Sequence, residues 1–202
     1  MARRLSAQER RQQLIRVGRQ VFARLGFEGT SVEEIARRAK VSKPIVYEHF
    51  GGKEGLYAVV VDRAMSEVTE RISNAIQDGP PRQRLEQAAL AFMTWVQDDP
   101  DGFTVLLRDK PTSRAGGMTG LLHDLADRVG QVFAEQFADG GFDRRMAPLY
   151  AHAIVGMISF AGEYWMEARK PAPDVVAAHI AAMAWMGLRH LPENPDKVRP
   201  IS

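Results

Sequence analysis

Two short helices separated by three residues constrain this chain more than any other feature. Val32, Ile35, Ala36 and Ala39 recur at helical spacing. Thr30 or Ser31 is placed to cap that helix, with Glu33 and Glu34 positioned to close a capping box from either. Lys40-Val41-Ser42 interrupts the pattern. A second helix then runs from Lys43 to His49, with Ser42 as its cap and Pro44 in its first turn, where a missing N–H matters little. Two such helices joined by a tight turn, the second rich in donors, make a helix-turn-helix. Phe22, Leu25, Ile35, Val46 and Phe50 are the expected buttress between it and its neighbours. The second helix then turns Ser42, Lys43, Pro44, Ile45, Tyr47, Glu48 and His49 outward. A helix of that width fits the major groove of DNA, its N-terminal residues nearest the base edges. Thr30 or Ser31, Tyr47 and Lys53 are the candidates for phosphate contacts, together with free N–H groups at helix starts. The same pattern also serves a three-helix subdomain whose basic face is merely solvated.

Charge bears on that choice. The 202-residue chain carries a net charge of only +2. Residues 1–50 hold eleven basic and five acidic residues, a local +6, which leaves −4 for the remainder. Such asymmetry suggests that one end meets a polyanion. Cysteine is absent, which removes disulfide frameworks, thiol catalysis and Cys-ligated zinc, and fits a reducing cytoplasm. No apolar run approaches the roughly 18–20 residues of a membrane span, and Met-Ala-Arg-Arg-Leu-Ser lacks the apolar core of a signal peptide.

The rest of the chain is helical in pattern, with no convincing strand. A first helix starts at the Ser6–Glu9 capping box, carries an apolar stripe of Leu14, Gly18, Val21, Phe22 and Leu25, and stops at Gly26. Further helices are expected at 53–77, 81–97, 102–109, 118–138, 143–169 and 173–190, with Lys110–Gly117 a loop. The expected fold is all-α with about nine helices. Residues 1–52 form a helix-turn-helix domain joined through helix 53–77; residues 53–191 form a ligand-binding and dimerisation domain; residues 192–202 are a frayed tail.

Residues 10–57 resemble the DNA-binding domain of the TetR family of bacterial transcriptional regulators. The matching runs are Phe27-Glu28-Gly29-Thr30-Ser31-Val32, Ile35-Ala36, Val41-Ser42-Lys43-Pro44-Ile45-Val46-Tyr47-Glu48-His49-Phe50 and Lys53-Glu54-Gly55-Leu56. The resemblance implies that Tyr47 and Lys53 anchor phosphates and that Thr30 is both helix cap and phosphate contact. It also implies that Lys43, Pro44, Ile45 and Glu48 touch bases, and that Val46 and Phe50 are core. Glu48 is unusual beside DNA: it either accepts from a cytosine N4 or pairs with His49, Lys43 or an arginine. Arg3 and Arg4 serve either as a minor-groove arm or as a tail giving nonspecific attraction.

Family members bind as dimers, and this sequence supplies its own reason. Residues 146–168 are apolar on nearly every side, and 174–190 are similar. A helix apolar all round is usually buried all round. Pairing both helices with their twofold copies as a four-helix bundle satisfies them. Interface candidates are Val155, Ile158, Gly162, Met166, Ile180, Met183, Ala184 and Gly187. Pocket candidates, suited to a largely hydrophobic molecule, are Phe92, Trp95, Phe103, Leu107, Leu122, Phe133, Tyr150, Met157, Phe160 and Trp165, all of which are equally what an ordinary core requires.

Enzyme readings find little. His123 and Asp127 at i and i+4 are two ligands, short of a metal site, and neither a phosphate loop nor a nucleophile elbow is present. No catalytic residue, metal or cofactor is expected. The expectation is a cytoplasmic, ligand-responsive repressor that binds a palindromic operator as a homodimer and is released by a small hydrophobic effector. An activator of the same family, or a small-molecule-binding protein or enzyme with an incidental helix-turn-helix, is the alternative.

Overall fold

The computed structural model describes residues 5–108, 117–139 and 143–190. Among these residues the protein is all-helical, with no strand. The elements are α1 (Ala7–Leu25), α2 (Val32–Ala39), α3 (Lys43–Phe50), α4 (Lys53–Ala75), α5 (Pro81–Asp98), α6 (Pro100–Arg108), α7 (Gly117–Asp139), α8 (Ala147–Ala168) and α9 (Pro173–Arg189). Arg3, Arg4, most of the expected 110–117 loop and the tail from Pro192 lie outside the described residues.

Local chemistry sets most boundaries. The α1 capping box forms reciprocally: Glu9 N–H donates to Ser6 Oγ at 3.2 Å, and Ser6 N–H donates to Glu9 Oε2 at 2.7 Å. At α2 the cap is Ser31, which accepts from Glu34 N–H at 3.2 Å. Thr30 does not cap, because its hydroxyl donates backward to the Gly26 carbonyl at 2.6 Å and is 4% exposed. Ser42 precedes α3 without making a side-chain cap bond. The helix expected from 102 starts earlier, at Pro100, since Asp99 caps it by accepting from Gly102 N–H at 2.9 Å and proline is tolerated at the first position. The helix expected from 143 starts instead as a 3-10 turn, Arg144–Met146, before α8, with Pro148 in the first turn of α8.

The described residues form two compact units. The first takes those up to Glu70 together with Trp95–Leu121; the second takes Arg71–Thr94 and those from Leu122 onward. This differs from a division at residue 52, because α6 and the end of α5 pack with the N-terminal helices. Leu14, Val21, Phe22, Ile35, Val46 and Leu56 fill the first unit's core, each at most 1% exposed. Each such burial stabilises by about 1.5–3 kcal/mol. Tyr57 meets Phe22 edge-on at 4.9 Å. Two of the expected buttress residues stand outside this core: Leu25 is 39% exposed, and Phe50 is half-buried under the Arg11 guanidinium, 4.5 Å from the ring.

An ion pair at one end and carbonyl contacts at the other tie α6 to α1. Arg19 pairs with the buried Asp99 at 2.5 Å, at the start of α6. At its other end, Arg108 Nη1 donates to the Ala23 carbonyl at 2.7 Å and reaches that of Arg24 at 3.4 Å, closing carbonyls that the last turn of α1 leaves unpaired. Trp95 packs edge-on against Phe103 at 5.8 Å within the same unit.

In the second unit α8 and α9 pack on one another. Trp165 is 3% exposed, and its indole N–H donates to the Pro171 carbonyl at 2.6 Å. Ser159, also buried, satisfies its hydroxyl on the Val155 carbonyl at 2.8 Å.

Candidate nucleic-acid interface and cavity

The turn between α2 and α3 is held from within. Lys40 takes the left-handed conformation at φ 55°, its N–H reaching the Ala36 and Arg37 carbonyls, and Val41 N–H donates to Ala36 at 3.0 Å. From α1, Gln13 Nε2 donates to the Ala39 carbonyl at 3.1 Å and Arg11 to the His49 carbonyl at 3.0 Å. Each bond satisfies the C-terminal end of one helix of the pair. Glu34 gathers Arg38 at 2.6 Å, Arg37 at 2.8 Å and Arg24 at 3.5 Å. Gly51 (φ 72°) and Gly52 (φ 135°) then turn the chain from α3 into α4, a path that side chains with a Cβ resist.

Val46 alone of α3 is fully buried. Ser42, Lys43, Pro44, Tyr47 and Glu48 are exposed, Tyr47 by 54%, whereas Ile45 and His49 are half-buried. Ser31 is exposed at the start of α2. Lys43 forms a short ion pair with Glu33 of α2, and the hydrogen bond from its ammonium holds the Glu33 carboxyl below the usual carboxylate range. Glu48 makes none of the pairs considered for it: Lys43 and Arg38 are taken by Glu33 and Glu34, and among the described residues its carboxylate has no partner. Lys53 folds back, donating to the Phe27 carbonyl at 3.1 Å with its ammonium 4.2 Å from the Phe27 ring. Thr30, turned inward, presents no hydroxyl to a phosphate.

The second unit contains a cavity of about 120 Å³. Its wall is Ile72 from α4, Ile76 just past it, Pro81, Arg84, Leu85, Ala88 and Phe92 from α5, Leu125 and Val129 from α7, and Ile154, Val155, Ile158 and Ser159 from α8. All but Arg84 and Ser159 are apolar. Of the pocket candidates only Phe92 is on this wall. Trp95, Phe103 and Leu107 belong to the first unit. Leu122, Tyr150 and Met157 are half-buried elsewhere, and Trp165 is buried against Pro171. Phe160 is 75% exposed, and the Phe133 side chain is outside the described residues.

The interface candidates also sort differently. Val155 and Ile158 line the cavity, while Gly162, Ile180 and Ala184 are buried within the chain. Met166 is half-buried and Gly187 exposed. Met183 is 59% exposed and is accompanied by Phe160, Tyr164 at 72% and Met186 at 55%. Tyr164, Met186 and the cavity's Arg84 stand outside both candidate sets, and Phe160, expected in the pocket, is exposed instead. Arg84 left one signal, a cation in a helical first turn that has no acid.

His123 meets His152, not Asp127: the rings' Nδ1 and Nε2 are 3.1 Å apart, and His152 Nδ1 lies 2.8 Å from the Pro148 carbonyl. Among the described residues no group of three or more His, Cys, Asp or Glu is placed to hold a metal ion, and no helix is long and apolar enough to cross a membrane.

Residues 14–60 match the model of bacterial regulatory proteins of the tetR family, and residues 71–199 match the tetracyclin repressor-like C-terminal domain. The chain belongs to the TetR family. This TetR-family chain is 28% identical over 191 residues to the HTH-type transcriptional activator FasR of Mycolicibacterium smegmatis, covering 94% of this chain and 87% of that one. It is 36% identical over 85 residues to the HTH-type transcriptional repressor DhaR of Mycobacterium sp. strain GP1, covering 41% of this chain and 43% of that one. The crystal structure of a TetR-like transcriptional regulator from Rhodococcus sp. RHA1 superposes with a TM-score of 0.77 at 26% identity, over 93% of this chain and all of that one. The chain is thus a DNA-binding transcriptional regulator of this family, with α3 as the second helix of its helix-turn-helix.

Proposed function

We propose that this regulator binds a palindromic operator as a homodimer and is released from it by a small hydrophobic effector, acting as a repressor in the bacterial cytoplasm. The observation that carries the DNA-reading half is the exposed row Ser42, Lys43, Pro44, Tyr47 and Glu48 along a helix otherwise anchored by Val46. In a dimer, two such helices enter successive major grooves about 34 Å apart. Tyr47 and, once released from Phe27, Lys53 contact phosphates; Lys43 and Pro44 face bases; Glu48, which pairs with no cation among the described residues, accepts from a cytosine N4.

Dimerisation is supported by the large apolar residues Phe160, Tyr164, Met183 and Met186, each more than half exposed on the paired helices α8 and α9. The effector reading is supported by the cavity, whose volume is roughly ten times that needed by one water. Effector binding favours the spacing of the two heads that does not fit the operator, and α4, which opens at Lys53 and contributes Ile72 to the cavity wall, carries the change. The similarity to the activator FasR favours a second reading, activation from the same kind of site.

Selection of DNA from a genomic pool tests the regulator. A recovered palindrome bound with an affinity that falls steeply with salt is the expected result, and absence of sequence preference at every salt concentration would end the proposal. Roles separate by substitution. Tyr47→Phe and Lys53→Ala should weaken binding to all sequences alike, with Lys53→Ala also lowering the salt slope by about 1, whereas Lys43→Ala should change the preferred bases. An unchanged site with Lys43→Ala would place the base-reading register elsewhere on α3. Glu33→Gln frees Lys43 from its ion pair, so affinity for DNA should rise by about twofold to fivefold at low salt and converge with the parent at high salt. Equal affinity at low salt would mean that Lys43 leaves Glu33 without cost.

A further inference from the structure

The cavity wall holds one cation among its described residues, Arg84, and the surroundings do not account for it. It sits in the first turn of α5, which has no acidic residue. A positive charge there opposes the helix dipole, whose positive end lies at the same place. Arg82, on the same turn, is compensated by Glu86 at 2.8 Å. Arg84 has no carboxylate partner among the described residues. Its Nε donates to the Gly79 carbonyl at 2.9 Å, which fixes the guanidinium at the turn between α4 and α5. Of the five guanidinium N–H donors, four remain, on the two Nη atoms. They form an edge that matches two oxygens of one anion. Pro81 is exposed and Arg84 and Ile76 half-exposed, whereas Phe92, Leu125 and Ile158 are buried, so charge lies at the solvent side and hydrocarbon at the floor.

Building on the effector reading above, we infer that the effector is an amphipathic anion: an apolar body fills the cavity and a carboxylate or phosphate head is held by Arg84 at the start of α5. The helix dipole and the guanidinium add at that point, and the Nε bond to Gly79 reduces the freedom that Arg84 would lose on binding. A neutral molecule of the same body leaves Arg84 as it is in the empty chain and gains only the apolar contact. A cationic one meets both charges unfavourably.

Calorimetric titration of the full chain with octanoate, octyl phosphate, 1-octanol and octylamine, at one ionic strength, tests this. The four share a body and differ in head. Octanoate or octyl phosphate should bind at least about fivefold tighter than 1-octanol, and octylamine weakest. The tighter of the two anions identifies the head. Arg84→Gln should abolish the preference while leaving 1-octanol affinity within about twofold, which also shows that the cavity survives the substitution. Arg84→Lys, with the charge but no second donor centre, should keep a reduced preference. Equal binding of anion and alcohol to the parent chain, or a preference that persists in Arg84→Gln, overturns the inference while leaving the cavity as an effector site. Failure of all four to bind overturns the effector reading and this inference with it.

Discussion

Gly55→Ala is expected to weaken the chain's operator binding, although Gly55 is not among the residues assigned to base contacts. A Cβ at this position would lie 1.9 Å from the Phe50 carbonyl oxygen and 3.0 Å from its carbon. These are backbone atoms, so no rotamer change relieves the clash. The start of α4 has to move away from the end of α3 by more than an ångström. Tyr47 and Lys53, the phosphate contacts assigned above, lie on the two sides of that joint, so one cannot stay in register while the other shifts. Overpacking of this kind costs about 1–3 kcal/mol, which in a chain of this size lowers the melting temperature by about 2–12 °C. Operator affinity should fall by more than about tenfold, since base contacts tolerate little misplacement. Thermal melting and fluorescence anisotropy on a labelled operator measure both. A variant that melts and binds like the parent would show that α3 and α4 do not approach as closely as described.

The combined substitution Phe160→Glu and Met183→Glu should give folded monomers that no longer hold the operator. Both side chains are largely exposed, at 75% and 59%, so the charges enter water in the isolated chain and leave its fold intact. In a dimer they would be buried, where unpaired carboxylates cost several kcal/mol. A monomer loses the second half-site, and with it the gain of about 10²–10⁴ in affinity that linked binding provides. Sedimentation analysis and anisotropy together read the result. A variant that sediments as a dimer would move the interface off this face. Charging Ile158 would be uninformative, because that residue is 7% exposed on the cavity wall and its replacement damages the fold directly.

Local signals carried furthest from sequence to structure. The Ser6–Glu9 box and the Lys40–Ser42 break act within a few residues, and so did the apolar spacing of Val32, Ile35, Ala36 and Ala39, all four buried. Thr30 was harder to read, because whether its hydroxyl faces forward to cap or backward to Gly26 depends on the turn, not on residue type. Hydrophobic spacing has no phase when every side of a helix is apolar. On α8 it could not separate Ile158, which lines the cavity, from Phe160, two residues on and facing water. Affiliations across long separations were also out of reach. Nothing near Asp99 announces Arg19, eighty residues earlier, and with it went the assignment of Trp95 and Phe103 to the first unit.

That tie between α1 and α6 bears on how such regulators can be recombined. A chimera made by joining this chain's first seventy residues to another sensor would leave Asp99 and Arg108 behind. Arg19 would lose its carboxylate, and the Ala23 and Arg24 carbonyls their donor. The portable piece is therefore discontinuous: a graft that transfers operator choice intact has to carry α6 with α1 to α4, or install a replacement α6 with acid and arginine at the same two ends.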